Sequence, residues 1–310
     1  MPERDIMSDN IAKEPFGVIV INKHEGVTSY RIIQILRRVF NTKKVGHTGT
    51  LDPMATGVLP VLLGRAVKAA DFLLSEDKEY VCTMKLGVET DTEDTTGTVL
   101  RTSEDIPDED AVMAAVASFV GDYDQVPPMY SALKVDGRKM VDIAREGGEV
   151  ERKPRRVVIR NIKCEKIERD LYRLEVECSK GTYIRTLCAD IGKKLGCGGA
   201  MASLCRTRAG AFDLSMAHTI EELDSMSDKE VRSLVLPADG LFPDFPKVEL
   251  VDFYSKLAHS GTEIYLKKIG ENFPVGTHVR LCHNGEFFAI GRVDEYETGF
   301  AIRPIKQLLL

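Results

Sequence analysis

Residues 46–57 read GHTGTLDPMATG, and this is the most unusual stretch of the 310-residue chain. It holds three glycines, three threonines, one histidine and one aspartate in twelve residues. Glycine allows positive φ and close approach of the backbone to a ligand, and Pro53 keeps Asp52 extended and outside any following helix. The stretch therefore predicts a loop that presents the Asp52 carboxylate in a fixed place, although an Asp-Pro pair among glycines is also ordinary turn chemistry.

The same loop excludes several kinds of active site. It contains no G-x-x-x-x-G-K-[ST] phosphate loop, no G-x-S-x-G elbow and no H-E-x-x-H zinc motif. A lone carboxylate on a fixed loop suits chemistry at a glycosidic or electron-poor carbon, as a nucleophile or as the stabiliser of a developing positive charge.

Length and composition indicate an ordinary globular chain of two domains. Hydrophobic residues make up 43% and charged residues 29% of the sequence, and the longest apolar run, AVMAAVA at 111–117, is far short of a membrane span. The first 14 residues have no apolar stretch that could act as a secretory signal, so we expect a disordered leader over 1–14 and a cytoplasmic protein. Seven cysteines without a C-x-x-C pair favour reduced thiols, and we expect no metal.

The pattern of apolar residues predicts strands and helices without regular alternation, and hence a mixed sheet of the α+β class. GVIVINK at 17–23 is typical of a buried strand, and 58–63 predicts a second strand in which Pro60 indicates an edge or a bulge. Strict alternation over 78–86 predicts a third strand, with Tyr80 on its apolar face. Residues 123–133 are expected to be irregular because they contain two adjacent prolines.

The C-terminal part of the chain predicts a small β-rich domain. The two prolines of GLFPDFPK, 240–247, indicate a linker, and Asn284-Gly285 is a strong hairpin signal between two apolar stretches.

The charge pattern gives opposing indications about nucleic acid. A net charge of −6 argues against such a partner, but nine Lys and Arg face five Asp and Glu between Lys134 and Arg160. Most runs of this kind are merely solvated surfaces, so the run alone decides nothing.

Four stretches together resemble one known family. GHTGTLDPMATGVLPV at 46–61, KEY at 78–80, GTYIRTL at 181–187 and SLCRTRAG at 203–210 are similar to the TruB family of pseudouridine synthases, in the family's order. The resemblance implies an α+β fold: a mixed β-sheet pseudouridine synthase core with flanking helices, and a small C-terminal PUA-like β domain. It implies a catalytic domain over 15–240 with an RNA-clamping insertion at about 124–156, and the PUA-like domain over 248–310.

The resemblance also implies an activity, the isomerisation of uridine to pseudouridine in the T-loop, at position 55, of tRNA. The family flips the target base out of its stack and uses no cofactor, metal or ATP. By the resemblance Asp52 is the catalytic aspartate and Arg185 its charged partner, which favours the ionised carboxylate. Arg185 alone would be read as a half-shielded surface charge on a helix that opens at Thr182. Tyr80 would stack on the target base and is a candidate for proton removal at C5.

Further residues are implied to contact the RNA. His47 would fill the space left by the flipped base, Leu204 would pack near that base, and Lys68 would contact a phosphate. The basic residues of the insertion would bind the tRNA stem-loop by neutralising phosphates; they are Lys134, Arg138, Arg152, Lys153, Arg155 and Arg156. The acids of this stretch are expected to face away from the RNA.

The expected partner is the T stem-loop of tRNA, with no guide RNA and no membrane, and the expected state is a monomer. Two other functions stay open on the residues. One is a non-catalytic RNA-binding or folding factor on the same scaffold, which the intact set of Asp52, Tyr80 and Arg185 argues against. The other is a glycoside hydrolase, which needs a second carboxylate, and no motif links Glu76, Asp77 or Glu79 to such a role.

Overall fold

The computed structural model describes residues 15–74 and 76–309, so the leader expected at 1–14 lies outside the described residues. The strands are β1 Gly17–Lys23, β2 Val45–His47, β3 Thr56–Leu63, β4 Lys78–Leu86, β5 Val88–Thr90, β6 Val99–Thr102, β7 Gly121–Gln125, β8 Lys134–Val135, β9 Arg138–Lys139, β10 Arg155–Lys166, β11 Leu171–Cys178, β12 Gly199–Ala209, β13 Phe212–Asp213, β14 Leu236–Pro237, β15 Lys247–Glu249, β16 Ile264–Tyr265, β17 His278–His283, β18 Glu286–Tyr296 and β19 Gly299–Gln307. The α-helices are α1 Ser29–Val39, α2 Ala70–Leu73, α3 Glu109–Ala117, α4 Met140–Arg145, α5 Ile184–Leu195, α6 Ile220–Ser225, α7 Asp228–Ser233, α8 Asp252–His259 and α9 Leu266–Ile269. Short 3₁₀ turns lie at Gly64–Ala69, Leu214–Met216 and Ala238–Leu241.

One large sheet organises the first 240 residues. Its strands run in the order β14-β1-β3-β12-β4-β11-β10-β7, with β2 paired to β3 and β13 to β12. The β3–β12 pair is parallel and the other pairs of this sheet are antiparallel, so the expected mixed sheet is confirmed. The parallel pair matters for the site, because it brings the end of the 46–57 loop against β12.

The central strands are apolar throughout because both faces of the sheet are covered there. Ile19 and Ile21 of β1 pack into the core that contains α1 and α5. Val18 and Val20 point to the other face, into a second core shared with Phe287 of the C-terminal sheet. Farther along the sheet, β4 alternates strictly between buried and half-buried residues, because its second face is open to water.

The prediction that Pro60 marks an edge or a bulge is wrong. β3 lies inside the sheet, and Pro60 stands opposite Val20 of β1. The Pro60 carbonyl accepts from the Thr48 N–H on the β2 side. Because the N–H and C=O of one strand residue point to the same side, the N–H that proline lacks would also have faced β2. β2 ends at His47, and the ladder therefore loses no bond at Pro60.

The stretch expected to be irregular begins three residues later than predicted. Residues 121–125 form β7, the edge strand, which pairs with the start of β10. The expected insertion at 124–156 is accordingly an excursion over 126–154 between the edge strand β7 and its neighbour β10, and it carries the β8–β9 hairpin and α4.

The C-terminal residues form a five-stranded sheet, in the order β15-β17-β18-β19-β16. The predicted hairpin is confirmed: Asn284 and Gly285 have φ of 51° and 77° and join β17 to β18. The predicted linker is more than a spacer, because Leu241 and Phe242 are buried in the core shared by the two sheets.

All seven cysteines are free thiols and five of them are buried, as expected for a reduced chain. Within residues 15–74 and 76–309, no helix is long and apolar enough to cross a membrane.

Helix α5 packs directly on the backbone of β12 at Gly192. A Cβ there would come within 2.1 Å of the Gly199 nitrogen. We therefore expect Gly192→Ala to lower the free energy of unfolding by about 1–3 kcal/mol, since the helix must move off the sheet. Urea unfolding measures this, with Lys193→Ala on the exposed side of the same helix as the control. An unchanged midpoint in Gly192→Ala would contradict the packing.

Candidate active site

The residues on both sides of Asp52 are fixed by buried polar side chains. The Ser29 hydroxyl donates to the Leu51 carbonyl at 3.0 Å and accepts from the Leu51 N–H at 2.9 Å. The Lys23 ammonium is fully buried and donates to the Pro53 carbonyl at 3.1 Å and to the Val27 carbonyl at 2.7 Å. Burial lowers the pKa of Lys23 to about 8, and Asp52 opposes that shift. The loop therefore holds its aspartate rigidly, as the sequence predicts.

Arg185 lies against this carboxylate at the start of α5. Its Nε is 2.9 Å from Oδ2 of Asp52, whose side chain is 35% exposed, whereas the Arg185 side chain is only 5% exposed. The guanidinium also donates to the carbonyls of Thr92 at 3.0 Å and Tyr130 at 2.8 Å. Arg185 is thus buried rather than half shielded as expected, because three separate loops close over it.

A second carboxylate, Asp94, faces the other side of the same guanidinium. Its Oδ2 lies 3.9 Å from Nη1 of Arg185, and its Oδ1 accepts from the Thr96 N–H at 3.0 Å. Asp94 was missed from the sequence. The only signal is the run TDTEDTTG at 90–97, which indicates a tight polar turn and not the long-range partner of that turn.

The start of α5 is fixed by a buried amide that the sequence also did not reveal. Gln125 at the end of β7 accepts from the Tyr183 N–H at 2.7 Å and donates to the Tyr183 carbonyl at 2.9 Å. This two-point contact sets where the helix begins, at Ile184, two residues past the predicted opening at Thr182. Arg185 consequently points toward the loop of Asp52.

A cleft of about 450 Å³ opens beside the ion pair. Asp52, Tyr80, Arg185 and Leu204 all border it, so the structure brings together the three predicted catalytic residues and the predicted base-packing residue. Other residues around the cleft are Gly49, Lys78, Tyr130, Ser131, Val141, Tyr183 and Arg206. The volume suits a ligand of nucleoside size.

Burial is the largest cause of the pKa shifts of the residues in the cleft wall. The pKa of the Tyr80 phenol is raised by burial, and the neighbouring Arg206 charge opposes this shift. Lys78, two residues before Tyr80, donates to the Leu74 carbonyl at 3.3 Å and also to that of Glu76. Burial, followed by the Arg206 charge, lowers the pKa of Lys78 to about 8.

Two predicted RNA contacts lie outside the cleft. His47 ends β2, and its Nδ1 accepts from the Gly49 N–H at 3.2 Å. Burial and then the Arg206 charge lower the pKa of His47, so the ring is neutral at pH 7. Lys68 is exposed on the turn after β3, beside a depression that Lys43 and Arg65 also border.

The predicted basic residues of the insertion are exposed, except for Arg152, which is half-buried and donates to the Pro127 carbonyl at 3.2 Å. Two of them are engaged by acids. Arg138 binds Glu146 at 2.6 Å, and Arg156 binds Asp124 at 2.7 Å and Asp122 at 3.2 Å. Their positive charge is therefore partly neutralised. Three further positions complete the predicted set: Lys134, Lys153 and Arg155.

Chemically, the site offers one partly exposed carboxylate with a fixed cationic partner, next to a buried phenol and an apolar side chain. Within the described ranges, no group of three His, Cys, Asp or Glu side chains is placed to hold a metal ion. Glu79, considered as a second carboxylate, binds Arg208 at 2.7 Å and is absent from the cleft wall.

Two family models match the part of the chain that forms this site. Residues 37–184 match the model of the TruB family pseudouridylate synthase N-terminal domain, and residues 185–242 match the tRNA pseudouridylate synthase B C-terminal domain. The two matches meet at Arg185, so both contribute to the site.

Curated relatives extend the match over nearly the whole chain. A tRNA pseudouridine synthase B of Alkaliphilus oremlandii is 43% identical over 89% of this chain and 93% of its own length. A protein of the same name from Clostridium tetani is 38% identical over 92% of this chain and 98% of its own.

Among solved structures, one described as a Cbf5-Nop10-Gar1 complex superposes with a TM-score of 0.71 at 27% identity, covering 95% of this chain and 85% of the other. An archaeal box H/ACA sRNP Nop10-Cbf5 complex gives a TM-score of 0.68 at 25% identity, covering 95% and 86%. With relatives aligned over 89% and 92% of its length and its fold shared with solved structures, the chain belongs to the TruB family and is a pseudouridine synthase.

Proposed function

We propose that this enzyme converts uridine to pseudouridine in the T-loop of tRNA, at position 55, and that Asp52 carries the reaction. The observation that supports this most is the Asp52 carboxylate, partly exposed in a cleft of nucleoside size and bound by a buried guanidinium. The names of the relatives support tRNA as the substrate.

The reaction is a rearrangement within one nucleotide. The C1′–N1 bond breaks, the uracil turns, and a C1′–C5 bond forms while the C5 proton is lost and N1 gains a proton. Attack of a carboxylate at C6 of the base and action at C1′ of the ribose both need the carboxylate held toward the cleft, and the 2.9 Å contact with Arg185 fixes its orientation. In this proposal Tyr80 stacks on the uracil and takes part in removal of the C5 proton.

Access to a paired or stacked uridine requires it to be turned out of the loop, at a cost of a few kcal/mol. We assign His47 to the space that the base leaves, because a neutral imidazole can stack there without burying a charge. The excursion at 126–154 borders the cleft through Tyr130, Ser131 and Val141, and we assign it to holding the stem-loop. We propose that the monomeric enzyme does this in the cytoplasm without a guide RNA.

The central prediction concerns Asp52→Asn. Replacing the carboxylate by an amide of the same shape should lower pseudouridine formation by at least about 1,000-fold, since the reacting group itself is removed. The measurement is nucleoside analysis of an unmodified tRNA transcript after incubation with enzyme alone, with a transcript carrying C at position 55 as the substrate control. Release of free uracil would indicate hydrolysis instead. Binding without product in both wild type and variant would favour the non-catalytic RNA-binding factor.

A second prediction separates charge from geometry at Arg185. Arg185→Lys keeps the positive charge but cannot reach Asp52, Thr92 and Tyr130 together. We expect the single-turnover rate constant to fall by about 100-fold while the Kd for tRNA changes less than about 3-fold, because misplaced groups chiefly lower the rate. Arg173→Lys, on the open face of the sheet, is the control. A wild-type rate in Arg185→Lys would contradict this assignment.

The basic residues give a third prediction. Arg155→Glu together with Lys153→Glu should weaken tRNA binding and flatten its dependence on salt, because phosphate neutralisation releases counterions. Arg156→Ala should have the smaller effect per residue, since Asp122 and Asp124 already bind that guanidinium. Filter binding from 50 to 200 mM salt measures both. If the dependence of tRNA binding on salt has the same slope in the wild type and in all variants, the segment that holds these residues is not part of the RNA interface.

A further inference from the structure

Arg206 is a buried cation that the reaction described above does not use. It lies on β12, is 1% exposed, and is the largest fully buried side chain in the described part of the chain. A guanidinium in such a place is costly unless its donors are bonded and well placed. Its partners therefore indicate what it contributes.

The first contacts join the two ends of the loop that carries Asp52. Nε donates to the Val58 carbonyl at 2.7 Å, and Nη2 donates to the Gly49 carbonyl at 3.1 Å. Asp52 lies between these two carbonyls in the sequence. One planar group thus sets the distance between the ends of the loop.

The next contact is with the opposite wall of the cleft. Tyr80 of β4 stands directly across from Arg206 in the β4–β12 ladder, and both residues border the cleft. Arg206 therefore bonds the loop of Asp52 and is paired across the ladder with the residue whose ring faces that loop.

Two glycines of the GHTGTLDPMATG stretch lie against Arg206, Gly57 against its backbone and Gly49 against its side chain. Gly57 pairs with Arg206 in the parallel β3–β12 contact, and a Cβ at Gly57 would lie 2.3 Å from the Arg206 carbonyl oxygen. Gly49 has a φ of +139°, and a Cβ there would touch Nη1 of Arg206 at 3.5 Å. The loop is closely fitted to this one residue at both ends.

We propose that Arg206 is a positioning residue that holds the Asp52 loop and the Tyr80 ring at a fixed separation, which sets the width of the gap that receives the uracil. This inference rests on the proposed roles of Asp52 and Tyr80. Arg206 touches no reacting atom in this arrangement and acts through the two groups that do.

The test uses Arg206→Lys in the full chain, with Arg208→Lys as the matched control. Arg208 is on the same strand but binds Glu79 and Glu177 on the open face of the sheet. Lysine keeps the charge of Arg206 but cannot bond both loop carbonyls, those of Gly49 and Val58, in the geometry of the planar guanidinium. We expect the single-turnover rate constant of Arg206→Lys to fall by about 10–100-fold with tRNA Kd within about 3-fold, and that of Arg208→Lys to stay near wild type.

A second readout follows the loop itself. In the RNA-free protein, amide hydrogen exchange over residues 47–57 should become faster in Arg206→Lys, while exchange over α1 stays at the wild-type rate. A purely structural role would instead speed exchange throughout the core and weaken RNA binding in step with the rate. That result, or wild-type exchange in the loop, would overturn the proposal.

Gly49→Ala provides an independent variant if Arg206→Lys does not fold. It disturbs the carbonyl that Nη2 binds while leaving the guanidinium in place, and it should give the same local increase in exchange. The exchange measurement does not depend on activity. Full activity of Asp52→Asn would therefore refute the proposed function and leave the loop result standing, whereas a normal loop in both Arg206→Lys and Gly49→Ala would refute only this inference.

Discussion

The buried contact between Arg185 and Asp52 is the constraint around which the site is built. A guanidinium that is 5% exposed must find acceptors for its donors, because losing water without replacement costs several kcal/mol. It finds them on parts of the chain that are far apart in sequence: the Asp52 carboxylate and the carbonyls of Thr92 and Tyr130. Burial of one side chain thereby fixes where the 46–57 loop, the 90–97 turn and the start of the excursion at 126–154 meet. The site is ordered because the buried guanidinium must take its hydrogen-bond acceptors from these three segments.

The large sheet makes this order possible. β1 and β3 are covered on both faces, by α1 on one side and by the C-terminal sheet on the other. The 46–57 loop starts from β2 and ends in β3, so both of its ends are attached to paired strands of the large sheet. A loop anchored in this way loses little conformational freedom when a substrate binds, and its aspartate is already in place. The C-terminal sheet thus supports the site from behind, without reaching the cleft.

The sequence could predict what depends on neighbours along the chain. Alternation gave the buried face of β4 with Tyr80, and Asn284-Gly285 gave the hairpin of the C-terminal sheet. The motifs gave the family and the set of Asp52, Tyr80 and Arg185. What could not be predicted depends on contacts between distant segments. The prediction for Pro60 was wrong because a proline fits inside a sheet where no neighbouring strand needs its N–H, and that depends on where β2 ends. Three polar residues were missed because a polar residue in a turn or at a strand end does not reveal its distant partner; they are Asp94, Gln125 and Lys23.

Charge is distributed in this enzyme so that a negative chain can still receive RNA. The net charge is −6, yet three cations that are at most 5% exposed, Lys23, Arg185 and Arg206, surround the loop of a single carboxylate, Asp52. Charges held away from water are screened less by salt than those on the surface. On the proposed function, a phosphate backbone at the cleft lies near these fixed positive groups, whatever the net charge of the chain. Burial lowers the pKa of His47 most and the Arg206 charge lowers it further, so one of the cations that order the loop also acts on the protonation of a residue within it.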